Sequence, residues 1–190
     1  MNQPAGPEPT GAEKARPPQS AAKSSPSPPP ETPPLLTVIV PVYNEAETID
    51  ELLHRVLAAA YPKEVVVVDD GSTDGTAKAL QAWADRPGVR LLAHATNQGK
   101  GAAIRTALAH ARGRFTVIQD ADLECDPDDY PVLIEPLLSG EAEVVYGSRY
   151  LRREDRARHR WCVLRWGVSL LNTCARMLYG VRLTDEATCY

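Results

Sequence analysis

A chain of 190 residues that is 43% hydrophobic holds enough apolar material for one core, and its formal charge of −4 at pH 7 lacks the basic surplus of a nucleic-acid-binding domain. One Phe and three Trp leave little aromatic surface for stacking on bases, so no nucleic-acid partner is expected. The cysteines Cys125, Cys162, Cys174 and Cys189 form no C-x-x-C pair and read as reduced cytosolic thiols, and His54, His94, His110 and His159 are too scattered for a metal-binding repeat.

From Met1 to Pro34 the composition is Pro, Ala, Ser, Glu and Lys, which cannot bury enough apolar surface to offset its ordering entropy. This segment is expected to be a disordered tail. Its start lacks a basic cluster followed by an apolar stretch, so no cleaved signal peptide is expected. No run of about 18 uninterrupted apolar residues occurs, so no spanning helix is expected either.

Folded structure is expected to begin at Leu35. The β-branched run through Val40, stopped by Pro41, reads as a strand buried on both faces. Asn44 and Glu47 have the spacing of a capping box, and the following helix places Ile49, Leu52, Leu53, Val56 and Leu57 on one face. Glu64 to Ser72 repeats the pattern of apolar strand, acids and glycine turn. A second helix, Gly75 to Ala84, is expected to turn Ala77, Leu80 and Ala84 inward, and Val89 to Leu92 forms a short strand. Asn97-Gln98-Gly99-Lys100-Gly101 opens a third helix, with Ile104, Ala107, Leu108 and Ala111 as its stripe. Phe115 to Ile118 is a fourth strand, Tyr130 to Leu138 a helix, and Val144-Val145-Tyr146 a further strand. Alternating strands and helices with short connections predict an α/β layer with a mainly parallel sheet and right-handed crossovers.

In such sheets ligands bind beyond the carboxyl ends of the strands, where this chain concentrates Tyr43, Glu45, Asp69, Asp70, Asp120 and Asp122. Carboxylates gathered there repel one another unless a cation or hydrogen bonds compensate. Oxygen-only ligands suit Mg²⁺ or Mn²⁺, which also accept phosphate oxygens. Gly99-Lys100-Gly101 is no Walker A loop, because Ala102 stands where a metal-binding hydroxyl is required. The dinucleotide fingerprint is likewise missing after the first strand, where Pro41-Val42-Tyr43 stands.

Together, Thr37 to Glu45, Asp69 to Thr76, Asn97 to Gly101, Asp120-Ala121-Asp122 and Tyr146 to Arg149 resemble, in order and spacing, the family 2 glycosyltransferases, most of all the polyprenol-phosphate sugar transferases like dolichol-phosphate mannose synthase. The resemblance covers residues 35–190 and implies a GT-A, Rossmann-like three-layer sandwich. It implies a nucleotide-sugar pocket of Pro41, Tyr43, Glu45, Val67, Asp69, Asp70, Lys100 and Ala121. Asp120 and Asp122 would hold the divalent cation with Glu124, which stands where mannose-synthase relatives commonly have Gln. Arg149 would pair with a phosphate, and Asp185 resembles the acid of a late active-site motif. The implied reaction moves a sugar with inversion from a UDP- or GDP-sugar to a polyprenyl phosphate, with transfer to a saccharide hydroxyl, or a non-catalytic nucleotide-sugar-binding module, as alternatives. Relatives continue past the equivalent of Tyr190 with further basic residues and often membrane segments, so C-terminal truncation is expected.

Arg149, Arg152, Arg153, Arg156, Arg158, Arg160 and Arg165 cluster against the acidic average. They precede a helical pattern in which Leu164, Val168, Leu171, Ala175 and Leu178 form one stripe, with Trp161 and Trp166 at its start. A basic loop before an amphipathic helix reads as an element attracted to anionic lipid, or as a helix packed on the domain beside a solvated loop. The expected location is cytoplasmic, peripheral at the membrane face.

Overall fold

The computed structural model describes residues 33–148, 163–180 and 184. Most of the expected proline-rich tail, the arginines from Arg149 to Arg160, and Asp185 lie outside the described residues.

Strands β1 (Leu36–Val42), β2 (Lys63–Asp69), β3 (Val89–Ala93) and β4 (Phe115–Ile118) form one sheet in the order β3-β2-β1-β4. Every pairing is parallel, with Val38 opposite Val65 and Val117 and Val67 opposite Leu91. The helices α1 (Ile49–Ala58), α2 (Thr76–Gln81), α3 (Lys100–Leu108) and α4 (Tyr130–Leu138) alternate with the strands, and a further helix, α5, spans Val163–Tyr179. Successive strand residues point to opposite faces. Leu36, Val38, Val40 and Val42 therefore pack with Val65 and Val67 against α1, Leu80, Trp83, Tyr130 and Ile134, while Ile39, Val66 and Val68 meet Ala103 and Ala107 of α3 on the other face. Because both faces are covered, β1 and β2 read as valine-rich runs rather than as alternating patterns. Each buried side chain of this kind contributes about 1.5–3 kcal/mol relative to exposure. The three-layer α/β architecture with a parallel sheet is the one expected.

Several local expectations are corrected. Pro41 does not stop β1, because the strand runs on to Val42 with Pro41 opposite Val68. The Ile39 carbonyl accepts from the Gln119 N–H, so Pro41, two residues on, turns its backbone to the same side. The β4 ladder ends at Ile118, so the missing proline N–H interrupts no ladder bond. Asn44 is not the cap of α1. The helix begins at Ile49 with Thr48 in the cap position, and the Thr48 hydroxyl donates to Glu45 Oε2 at 2.7 Å. In α2 the inward residues are Thr76 and Leu80, followed by Trp83, while Ala77 and Ala84 are exposed. On α3, Ala103 and Ala107 are buried whereas Leu108 is exposed.

Val144-Val145-Tyr146 is not a strand. Val144 and Tyr146 are 67% and 55% exposed, and the run borders a cavity of about 240 Å³ that separates it from Phe115–Ile118 of β4 and from α4. Without ladder partners, β-branched composition alone does not make a strand. The reduced-thiol expectation fails for Cys125, which is disulfide-bonded, whereas Cys174 is free.

At the amino ends of the strands, Glu64 is buried and accepts from the Thr37 hydroxyl (2.8 Å), the Arg112 N–H (2.5 Å) and Arg112 Nε (3.1 Å). The Gly113 N–H donates to Thr37 Oγ1 at 2.8 Å, and a Cβ at Gly113 would lie 2.4 Å from the Thr37 nitrogen. Glycine alone permits this approach.

Candidate active site

At the opposite edge, the loops after β1 and β2 are laced together. Asn44 adopts φ 58°, its N–H donates to Ser72 Oγ (2.9 Å), and its Oδ1 accepts from the Thr73 N–H (2.8 Å). A short polar side chain that tolerates left-handed backbone suits this double clasp, which is why Asn44 serves a loop rather than a helix start. The Glu45 N–H donates to Thr76 Oγ1 (2.9 Å), and Asp69 Oδ1 accepts from the Ser72 N–H (2.9 Å). Asp74 accepts from the N–H groups of Thr76 (2.8 Å) and Ala46 (3.2 Å). Hydrogen bonds from Thr76, joined by that from Ala46, hold its pKa below the ordinary value.

Asp70 is 2% exposed, and its carboxylate is enclosed by partners. Oδ1 lies 2.6 Å from His94 Nδ1 and 3.0 Å from the Gln98 nitrogen, and Oδ2 accepts from the Gly99 N–H at 2.7 Å. Burial pushes this carboxyl up, but the His94 hydrogen bond and the Gln98 and Gly99 N–H groups outweigh it and hold its pKa below the ordinary value.

At the end of β4, Gln119 is fully buried and organises the acidic turn. Its side-chain amide donates to the carbonyls of Asp120 (3.2 Å) and Cys125 (3.3 Å), and its Oε1 accepts from the Tyr130 hydroxyl (2.7 Å). Asp120 is partly exposed and pairs with Lys100, Nζ to Oδ1 2.5 Å. Asp122 and Glu124 are exposed, Asp122 Oδ1 accepts from the Glu124 N–H (3.0 Å), and Leu123 between them has φ 62°.

The structure thus brings Lys100 to Asp120 and gathers Asp69, Asp70 and His94 at the end of β2. It does not gather Asp120, Asp122 and Glu124, and among the described residues no group of three His, Cys, Asp or Glu side chains is set to hold a metal. Tyr43 is 44% exposed and Glu45 half-buried, whereas Pro41 and Ala121 are buried and Val67 lies wholly inside the core. Arg149 and Asp185 lie outside the described residues, but their neighbours meet: the Thr184 hydroxyl donates to Ser148 Oγ at 2.8 Å, and Asn172 Nδ2 donates to the Thr184 carbonyl at 3.0 Å. Sequence reasoning missed His94, Gln119 and Tyr130. Gln119 stands beside Asp120 in the chain, so a buried amide directly before an acidic turn was a readable signal, but His94 carried none.

The fold and this edge define an α/β domain whose acids collect where a parallel sheet receives its ligands. A family model described as glycosyl transferase family 2 matches residues 37–183, and the chain belongs to that family. It is 38% identical over 157 residues to an undecaprenyl-phosphate 4-deoxy-4-formamido-L-arabinose transferase of Pseudomonas aeruginosa, a match covering 80% of this chain and 44% of that protein. It is 35% identical over 159 residues to a dodecaprenyl-phosphate galacturonate synthase of Rhizobium johnstonii, covering 79% and 45%. The chain therefore spans less than half the length of these curated relatives. Among solved structures it is similar to a mannosyltransferase of Pyrobaculum calidifontis in complex with GDP-Man and Mn²⁺, at 45% identity and a TM-score of 0.44 over 48% of this chain and 28% of that one.

Proposed function

We propose that this chain forms the donor-binding part of an inverting, metal-dependent glycosyltransferase that moves a sugar from a UDP- or GDP-sugar to a polyprenyl phosphate. The observation that carries the reading is the carboxyl edge of the sheet, where Asp69, Asp120 and Asp122 stand with Lys100 beside them. The relatives named for undecaprenyl- and dodecaprenyl-phosphate sugar transfer point to the acceptor class.

Tyr43, Glu45 and Asp69 flank the nucleotide, while Pro41, Val67 and Ala121 shape the pocket from beneath. Asp70 belongs to the walls of that pocket. Asp120, Asp122 and Glu124 are not drawn together in this structure, but they offer only oxygens, the donor type that Mg²⁺ or Mn²⁺ takes, and the diphosphate and water would supply the rest of the ligands. When bound, the cation supplies Lewis-acid stabilisation of the charge on the departing diphosphate. Lys100, 2.5 Å from Asp120, sets a second positive charge beside the same group. An acceptor phosphate oxygen forms the new bond to the anomeric carbon as the bond to the nucleoside diphosphate breaks. That oxygen is already anionic, so Asp185 orients rather than deprotonates it, and Arg149 pairs with phosphate.

Calorimetric titration with UDP- and GDP-sugars, with and without Mn²⁺, tests the reading. Metal-dependent binding of one of them is expected, and binding of neither overturns it.

We also place the protein peripherally at the cytoplasmic membrane face. No helix of the described residues is long and apolar enough to cross a membrane. On α5, Val168 is buried, while Leu170, Leu171, Met177, Leu178 and Tyr179 are exposed, and the arginine cluster lies just before this helix in sequence. An apolar helix face beside basic residues suits an anionic bilayer surface. Replacing the arginines should abolish co-sedimentation with anionic liposomes, and unchanged co-sedimentation would sink the membrane reading.

A further inference from the structure

We infer that His94 and Asp70 are positioning residues, which seat the 96–99 loop so that Lys100 reaches Asp120. The inference rests on the donor site proposed above and changes the part given to Asp70 within it. A group that binds a ligand must keep at least one oxygen reachable, and Asp70 is almost sealed, with both oxygens engaged by its own chain.

Five hydrogen bonds and one close backbone approach define the seat. The His94 N–H donates to the Asp69 carbonyl at 2.8 Å, fixing the backbone just past β3. The imidazole bridges two elements, with Nδ1 2.6 Å from Asp70 Oδ1 and Nε2 2.9 Å from Thr106 Oγ1 on α3. Asp70 in turn receives the N–H groups of Gln98 and Gly99, and Gly99, at φ 90°, directly precedes Lys100, the first residue of α3. Finally, Gly71 lies flat under the loop, where a Cβ would stand 2.6 Å from the Thr96 carbonyl carbon. The carboxylate selects the tautomer with a proton on Nδ1, leaving Nε2 to accept from the Thr106 hydroxyl. The helix α3 is thereby held at two places, at its start through the loop amides and in its last turn through Thr106.

The consequence falls on Lys100. Its Nζ meets Asp120 across the gap between α3 and the end of β4, a contact that depends on where Gly99 sets the helix start. Loosening the loop withdraws that positive charge from the acidic turn without altering any residue of the turn itself.

Hydrogen exchange at the Gln98 and Gly99 amides and the rate of reductive methylation of Lys100 together test this in the full chain. His94→Ala should speed exchange at both amides about tenfold, the loss of one charge-assisted hydrogen bond, with Val66 and Val68 still protected. Lys100 should react severalfold faster in the same variant, as it should in Asp120→Asn, which removes the charge it pairs with. His94→Asn, whose amide N–H replaces Nδ1–H, should restore both readings, and His94→Gln, which reaches towards Thr106 instead, should not. The Asn and Gln pair decides the matter if the Ala variant fails to fold. Unchanged amide exchange overturns the inference, and so does faster exchange with Lys100 reacting at the wild-type rate, or equal behaviour of Asn and Gln. None of these readings needs a donor, so a wild-type chain that binds no nucleotide sugar fails the proposed function and leaves this test intact.

Discussion

The two ends of one sheet use carboxylates in opposite ways. At the amino ends, Glu64 is enclosed by Thr37 and Arg112, so nothing remains for a ligand. At the carboxyl ends, Asp120 meets Lys100 and Asp122 meets only a neighbouring N–H among the described residues, and both keep exposed surface. Residue type does not separate the two classes. Enclosure does, because a buried carboxylate is tolerated only when its oxygens are already satisfied, and a satisfied carboxylate has little left to offer. By that criterion Asp70 behaves like Glu64 although it sits at the functional edge.

Three measurements break or sharpen this contrast. The largest effect is expected from Asp122→Ala, which should abolish metal-dependent donor binding and lower any transfer rate by roughly 10²–10³. Because the side chain is exposed, unfolding stability should stay within about 0.5 kcal/mol. Retained donor affinity would contradict its place at the open end. Glu64→Ala should do the reverse. Denaturant unfolding should show a loss of about 2 kcal/mol, since the Thr37 hydroxyl and the Arg112 N–H lose their acceptor, while donor affinity is unchanged. A weakened donor with intact stability would erase the distinction.

The smallest effect is a pH dependence carried by Asp70. Its folded pKa lies below the ordinary 3.8, so the unfolded chain binds the proton more readily. Its contribution to stability is therefore complete above 3.8 and is lost as pH falls through the lower folded value. Denaturant unfolding across that acid range should show this decline in the wild type and a shallower one in Asp70→Asn. Stability that rises on acidification by a component absent from Asp70→Asn would contradict the assignment.

What the sequence alone determined is the repeating unit. Apolar runs of strand length, helix-period stripes and acids at strand ends are local patterns, and local patterns survive in a string of letters. They sufficed for the α/β class, the parallel character of the sheet and the concentration of Asp69, Asp120 and Asp122 at one edge, while the strand order β3-β2-β1-β4 came from the tertiary structure. Tertiary structure decided which acids are free. Asn44 became a clasp because Ser72 and Thr73 arrive beside it from the next crossover, and Asp70 became a closed site because His94, Gln98 and Gly99 fold back over it from 24 to 29 residues away. The same holds for Val144-Val145-Tyr146, whose β-branched composition promised a strand that only ladder partners could have made. Hydrogen-bond saturation is a property of what surrounds a group, and the surroundings are set by how distant segments pack.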